Sequence, residues 1–196
     1  LGWRKLIWAV VLMTLFASSL IYTGFGAMAR ISDRFNDSPF TLDGTAYLNT
    51  AVHVEAERLL SLESDLAGIR WLQDNVSGSP VVLEAHNDQY HWGARISNYT
   101  GLPTVIGWPW HQMQQRNAYA ETIGRRARDV AKMYDTTDVT RTLHLLDLYD
   151  VEYIVVGDLE RVYYSTRGLN KFEEMFRSGL LTLVFDGEGM KIYQVL

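Results

Sequence analysis

The chain contains no cysteine. Disulfides, thiol nucleophiles and cysteine-held metals are therefore excluded. Compartment does not follow from this, since many extracytoplasmic bacterial domains carry no disulfide. Basic charge is scarce beyond the N-terminus. The formal net charge is −5, and Arg4, Lys5 and Arg30, the only charged residues in the first thirty, contribute +3, which leaves −8 for residues 31–196. A body of that sign argues against nucleic acid as a partner, because phosphate binding needs a basic face. Also missing are an HExxH metal motif, a nucleophile elbow, a P-loop and a dinucleotide fingerprint. There is no internal repeat and no low-complexity tract.

The 196 residues give room for one domain plus something small, and at 47% hydrophobic they can bury a core. Leu1, not methionine, opens the chain, so it is expected to be processed or a piece of something longer. Leu6 to Ala29 is an uncharged apolar run. A spanning helix needs about 20 such residues, and Trp3, Trp8 and Tyr22 suit interfacial positions. A secretory signal peptide is the alternative, with Arg4-Lys5 as its basic start and Ala27-Met28-Ala29 as its cleavage site. Its apolar core would be shorter than this run, so we read a transmembrane helix. Arg4 and Lys5 precede it directly, which favours a C-terminal domain outside the cytoplasm in a single-pass protein of the cell membrane.

Three regions are expected: an anchor and its flanks at 1–35, a connector at 36–61 and an α/β domain at 62–196. The connector carries turn formers at Asn36-Asp37-Ser38-Pro39 and Asp43-Gly44, with a helix expected at 46–60. Leu62, Leu66, Ile69, Leu72 and Val76 recur at helical spacing until Gly78. "PVVLEA" (80–85), "TVIGW" (104–108) and "VEYIVVG" (151–157) read as strands. Helices are expected at 88–101, 117–133, 138–149 and 168–178. "LTLVFDG" and "MKIYQV" read as a closing hairpin around Gly187 to Gly189. The fold class predicted is α/β: one N-terminal transmembrane helix, then a mostly parallel sheet with helices on both faces and a C-terminal antiparallel hairpin.

Ligands of open α/β sheets bind beyond the carboxyl ends of parallel strands, and the polar clusters fall there. Glu84 and His86 follow the first strand, Trp108, Trp110, His111 and Arg116 the second, and Asp158, Glu160 and Arg161 the third. These nine residues form the candidate binding rim. Glu84 is either a ligand-binding or acid/base carboxylate, or one half of a structural ion pair with Arg95, Arg116 or Arg161. Trp108 and Trp110 are either a platform for sugar, lipid headgroup or protein, or a cover for the sheet edge. His86, His91 and His111 could join Glu84 or Asp88 around a metal, but their spacing matches no ligand pattern. Neither metal nor cofactor is expected. Arg125, Arg126 and Arg128 read as a solvated face, and Asn98-Tyr99-Thr100 matches a glycosylation sequon that recurs by chance.

"TLDGTAYL" (41–48), "IRWLQDNVSGSPVVLEA" (69–85), "RISNYTGLPTVIGW" (95–108), "HQMQQR" (111–116), "LLDLYDVEYIVVGDLER" (145–161) and "GLNKF" (168–172) follow in order. Together they resemble the C-terminal end of the YYY-domain membrane proteins of Chloroflexi and archaea. That resemblance implies an extracytoplasmic domain similar to those of C-type glycosyltransferases, which are multispan enzymes using lipid-phosphate sugar donors. It also implies a catalytic acidic loop near N-terminal spans, with Leu6–Ala29 corresponding to the last helix before the soluble domain. The family often has an acidic residue where this chain has Gln112, which removes a carboxylate from the rim.

Two functions are expected on these grounds. The first is a non-catalytic, membrane-anchored interaction module, a subunit of a larger complex such as a photosynthetic or respiratory assembly. Its partners would be membrane lipid and other membrane protein subunits. The second is the C-terminal part of a polytopic glycosyltransferase using lipid-linked sugars.

Overall fold

The computed structural model describes residues 2–35, 40–89 and 91–196. Asn36 to Pro39, and Tyr90 within the expected 88–101 helix, lie outside the described residues. The chain divides into two compact units, Leu1–Tyr47 and Leu48–Leu196.

In the first unit, helix α1 (Trp3–Ile21) runs through a π-helical turn (Tyr22–Gly26) into α2 (Ala27–Phe35). Gly24 and Gly26 fall in that turn, and a Cβ at Gly26 would press on the Tyr22 ring at 3.2 Å. Trp3–Asp33 is the one helix among the described residues long and apolar enough to cross a membrane, with a mean hydropathy of 2.0. None of its side chains from Trp3 to Asp33 is buried. Its hydroxyls are turned inward: Thr14 donates to the Val10 carbonyl, Ser18 to Leu15 and Ser19 to Phe16. The helix therefore offers lipid no unpaired hydroxyl proton at those positions.

A 3-10 turn (Ala46–Asn49) spans the boundary in sequence, and the second unit continues with a hairpin, β1 (Val52–Glu55) and β2 (Arg58–Ser61). This replaces the helix expected at 46–60. Ala56 and Glu57 both take positive φ, 47° and 63°, the geometry of a tight two-residue hairpin turn, and β-branched Val52 and Val54 suit a strand. Helix α3 (Glu63–Asn75) follows and buries Leu66, Ile69 and Leu72.

The main sheet holds β3 (Val81–Leu83), β4 (Val151–Val156), β5 (Leu181–Gly187) and β6 (Met190–Val195), in the order β3-β4-β6-β5. Only β3 and β4 are parallel; β4 pairs antiparallel with β6, and β6 with β5. The sheet is mixed, which corrects the expectation of a mostly parallel one. The cause is the 104–108 segment: only Thr104 bridges to Val82. Arg126 donates to the Val105 carbonyl at 3.2 Å, so a side chain takes the place of a strand neighbour. The closing hairpin forms as read, with Gly189 at φ 82° in its turn.

Side chains alternate across the sheet into two cores. Leu83, Ile154, Val156 and Tyr193 meet Val130 and Met133 of α6 (Ala120–Asp135), Leu145 and Leu146 of α7 (Val139–Leu148), and Phe172 and Met175 of α9 (Thr166–Arg177). Val82, Val155 and Ile192 meet Ile69 and Leu72 of α3 and Ile96. Three short helices complete the unit: α4 (Arg95–Thr100), α5 (Pro109–Gln115) and α8 (Asp158–Tyr163).

Gly168, in the first turn of α9, lies against the end of α6. A Cβ there would run into the Tyr134 carbonyl oxygen and come within 2.7 Å of Asp135 Cα. Backbone cannot yield cheaply, so Gly168→Ala is expected to lose about 1–3 kcal/mol despite alanine's better helix propensity. Thermal unfolding of the variant in detergent micelles checks this; an unchanged midpoint would contradict the packing.

Candidate functional site

Glu84 lies at the carboxyl end of β3 and is fully buried. Its Oε2 accepts from the Ile96 N–H at 2.7 Å and its Oε1 from the Ser97 N–H at 2.9 Å. Both donors belong to the first turn of α4, where backbone N–H groups lack helical partners. Burial pushes Glu84 up to about 7, against the pull of the Arg95 charge and of these two N–H groups.

Glu160, on α8, is equally buried. It accepts from Arg95 at 3.1 and 2.9 Å, from the Ala85 N–H at 2.8 Å and from the Gly157 N–H at 2.8 Å. The last bond closes the start of its own helix from position N3. Burial alone would raise Glu160, but the Arg95 charge and these donors hold it below the usual carboxylate range.

Arg95 completes the arrangement. Its Nε donates to Asp65 Oδ1 at 2.7 Å, and Asp65 Oδ2 accepts from Trp92 Nε1 at 2.6 Å. Burial would lower the guanidinium, yet the charges of Asp65 and Glu160 keep it well above its ordinary value. One cation thus ties α3, α4 and α8 together with all its partners indoors.

The remaining rim residues are spread around this tie. Trp108 Nε1 donates to the Gly93 carbonyl at 3.1 Å, and its ring lies 6.1 Å from that of His111. Trp108 therefore joins Glu84 and Glu160 around the 85–95 segment. His86 is half-buried with its Nε2 2.9 Å from the Ala127 carbonyl, and burial lowers its pKa. Trp110, 45% exposed, stands on α5 beside exposed His111. Arg116 donates to Gln112 Oε1 at 3.3 Å, and a cleft of about 470 Å³ runs between it and Arg126, lined also by Ile106 and Tyr119. Asp158 and Arg161 pair at 3.0 Å on the surface, where Arg161 also donates to the Gly189 carbonyl at 2.7 Å. They sit by the closing hairpin, apart from the buried tie.

Sequence reasoning missed two groups. Asp65 falls three residues after Leu62, on the apolar stripe of α3; a carboxylate on that stripe was a signal of a buried partner. The second group surrounds Glu55, also buried. Its Oε2 lies 3.1 Å from both His53 Nε2 and His91 Nδ1, and it accepts from Tyr163, whose hydroxyl also meets Asn87 Nδ2. Burial raises Glu55, but its three donors outweigh that and leave it low. Among the described residues no group of three or more His, Asp or Glu side chains is placed to hold a metal ion.

No family model matches the chain, and no curated protein matches it. Solved structures similar to it include two of the C-terminal globular domain of oligosaccharyltransferase from Archaeoglobus fulgidus. One superposes with a TM-score of 0.41 and 12% identity, covering 67% of this chain and 95% of that one. The other gives 0.40 and 14%, covering 68% and 96%.

Two outcomes follow from the site. Arg95→Met strands two buried carboxylates and is expected to cost about 3–5 kcal/mol in unfolding; a loss under about 1 kcal/mol would mean the tie is not structural. Glu84 carries a pH signature. Its folded pKa is raised, so the folded state keeps a proton that the unfolded chain releases near 4.5. Stability should fall as pH rises through the window from 4.5 to about 7, by an amount on the order of 3 kcal/mol. Glu84→Gln should remove that slope, as read by the difference between wild-type and variant melting curves across pH. Parallel curves would refute it.

Proposed function

We propose that the chain is a membrane-anchored, extracytoplasmic interaction module that performs no chemistry of its own and serves as a subunit of a larger membrane complex. The observation carrying this reading is the state of the strand-end carboxylates. Each oxygen of Glu84 and Glu160 accepts from internal donors, and each nitrogen of the Arg95 guanidinium donates to a buried carboxylate. A general acid, base or nucleophile needs an atom facing substrate, and these face the protein. What the rim turns outward is contact chemistry instead: Trp110, His111, Gln114 and Arg116 on or beside α5. Indole area with a polar border suits an interface. Arg4 and Lys5 ahead of α1 support placing the domain outside the cytoplasm. The small residues Ala17, Ser18 and Ser19 of α1 and Gly24 and Gly26 of the π-helical turn would let another span approach closely.

The test is extraction of the tagged chain from its native membrane in mild detergent, followed by mass determination of the particle. The chain should elute with other integral membrane proteins. Trp110→Ala should reduce that association at least several-fold while leaving the melting midpoint within about 2 °C. A particle holding this chain alone would contradict the proposal. Recovery as the tail of one long multispan polypeptide would replace it with the glycosyltransferase reading.

A further inference from the structure

The β1–β2 hairpin is built inside out. A small antiparallel pair lying on a soluble body turns its apolar face inward and its polar face to water. Here the inward set includes His53, Glu55 and Leu60, while Val52, Val54 and Leu59 stand outside at 56%, 65% and 75% exposure. Val54 lies directly opposite Leu59 in the register, so the three form a patch.

The arrangement is enforced. Sliding the strand by one residue would bury the valines, but it would also pull Glu55 away from His53, His91 and Tyr163. The inward polar side is held by those bonds, and the outward apolar side is its consequence. Elsewhere in this unit the exposed large apolar side chains, such as Trp110, Tyr119, Leu148 and Leu180, are scattered along the chain. Between the end of α2 and the hairpin, Phe40 and Leu42 are fully exposed as well. The exposed aliphatic residues thus concentrate in the stretch of sequence that leaves the apolar helix.

We infer that the outer face of the β1–β2 hairpin is a lipid contact, with Val52, Val54 and Leu59 seated in the interfacial layer of the membrane that α1 spans. Three features favour lipid over a protein surface. Its apolar side chains are all aliphatic, bordered by exposed Ser61 opposite Val52, and it lacks the Trp, Tyr or Arg anchors typical of protein hot spots. Only residues 34–51 separate it in sequence from the spanning segment, and exposed Phe40 and Leu42 fall among them. Glu57 and Arg58 at its tip cancel in charge, so the contact draws on apolar burial and needs no anionic headgroup. The inference depends on α1 crossing a membrane and is independent of the subunit reading.

The absence of native cysteine makes the test clean. Val54→Cys and Leu59→Cys, each carrying a polarity-sensitive fluorophore, are compared with Glu152→Cys on an exposed position of β4. The full chain is reconstituted in phosphatidylcholine vesicles, and unchanged melting verifies the fold. Labels at 54 and 59 should be quenched by nitroxide-bearing lipids at least about threefold more than the label at 152, and by aqueous iodide correspondingly less. Equal behaviour of all three labels would overturn the inference. Shielding from iodide only in native membranes, without lipid quenching, would also overturn it and assign the face to a protein partner.

Discussion

The guanidinium of Arg95 sets the terms for the rest of the domain. It is wholly buried and holds Asp65 of α3 at 2.7 Å and Glu160 of α8 at 2.9 Å. Three charges inside a core are costly unless each is satisfied, and removing Arg95 leaves both carboxylates without their counter-charge. That requirement fixes where the helices start. Glu160 must reach the Gly157 N–H, Ala85 must present its own N–H, and α4 must begin so that Ile96 and Ser97 face Glu84. The carboxyl ends of β3 and β4 are therefore closed by internal bonds at the place where open α/β sheets more often bind ligands.

That closure explains why the rim carries two kinds of residue. Glu84 and Glu160 are bonded internally, whereas Trp110, His111 and Arg116 lie on the surface beyond them. The same division recurs at the hairpin, where Glu55 and His53 are held inward and the valines are left outside. In both places an internal polar bond decides which side chains remain for contact. A domain arranged in this way offers surfaces more readily than reactive atoms, which is the basis for reading it as an interaction module.

Much of the framework was legible in the sequence. The apolar run, the α3 stripe from Leu62 to Leu72, strand β4 and the closing hairpin at Gly189 all carry strong local signals. Failures came where long-range bonds overrode local pattern. Thr104 to Trp108 looks like a strand, but Arg126 takes the Val105 carbonyl and only Thr104 pairs. Residues 46–60 looked helical until the positive-φ pair Ala56-Glu57 turned them into a hairpin. Glu84 and Glu160 stood out because carboxylates rarely follow apolar strands. Their shared neighbour Arg95 was visible only as one of several candidate partners, and Asp65 was hidden within a helical stripe.

The central claim is that the strand-end charges hold the fold and bind nothing else. A double-mutant cycle of Arg95→Met and Glu160→Gln, read by unfolding free energy in detergent micelles, tests it most directly. The account predicts strong coupling, with the double variant better than the sum of the single losses by about 2 kcal/mol or more. Single effects that add to within about 0.5 kcal/mol would contradict it.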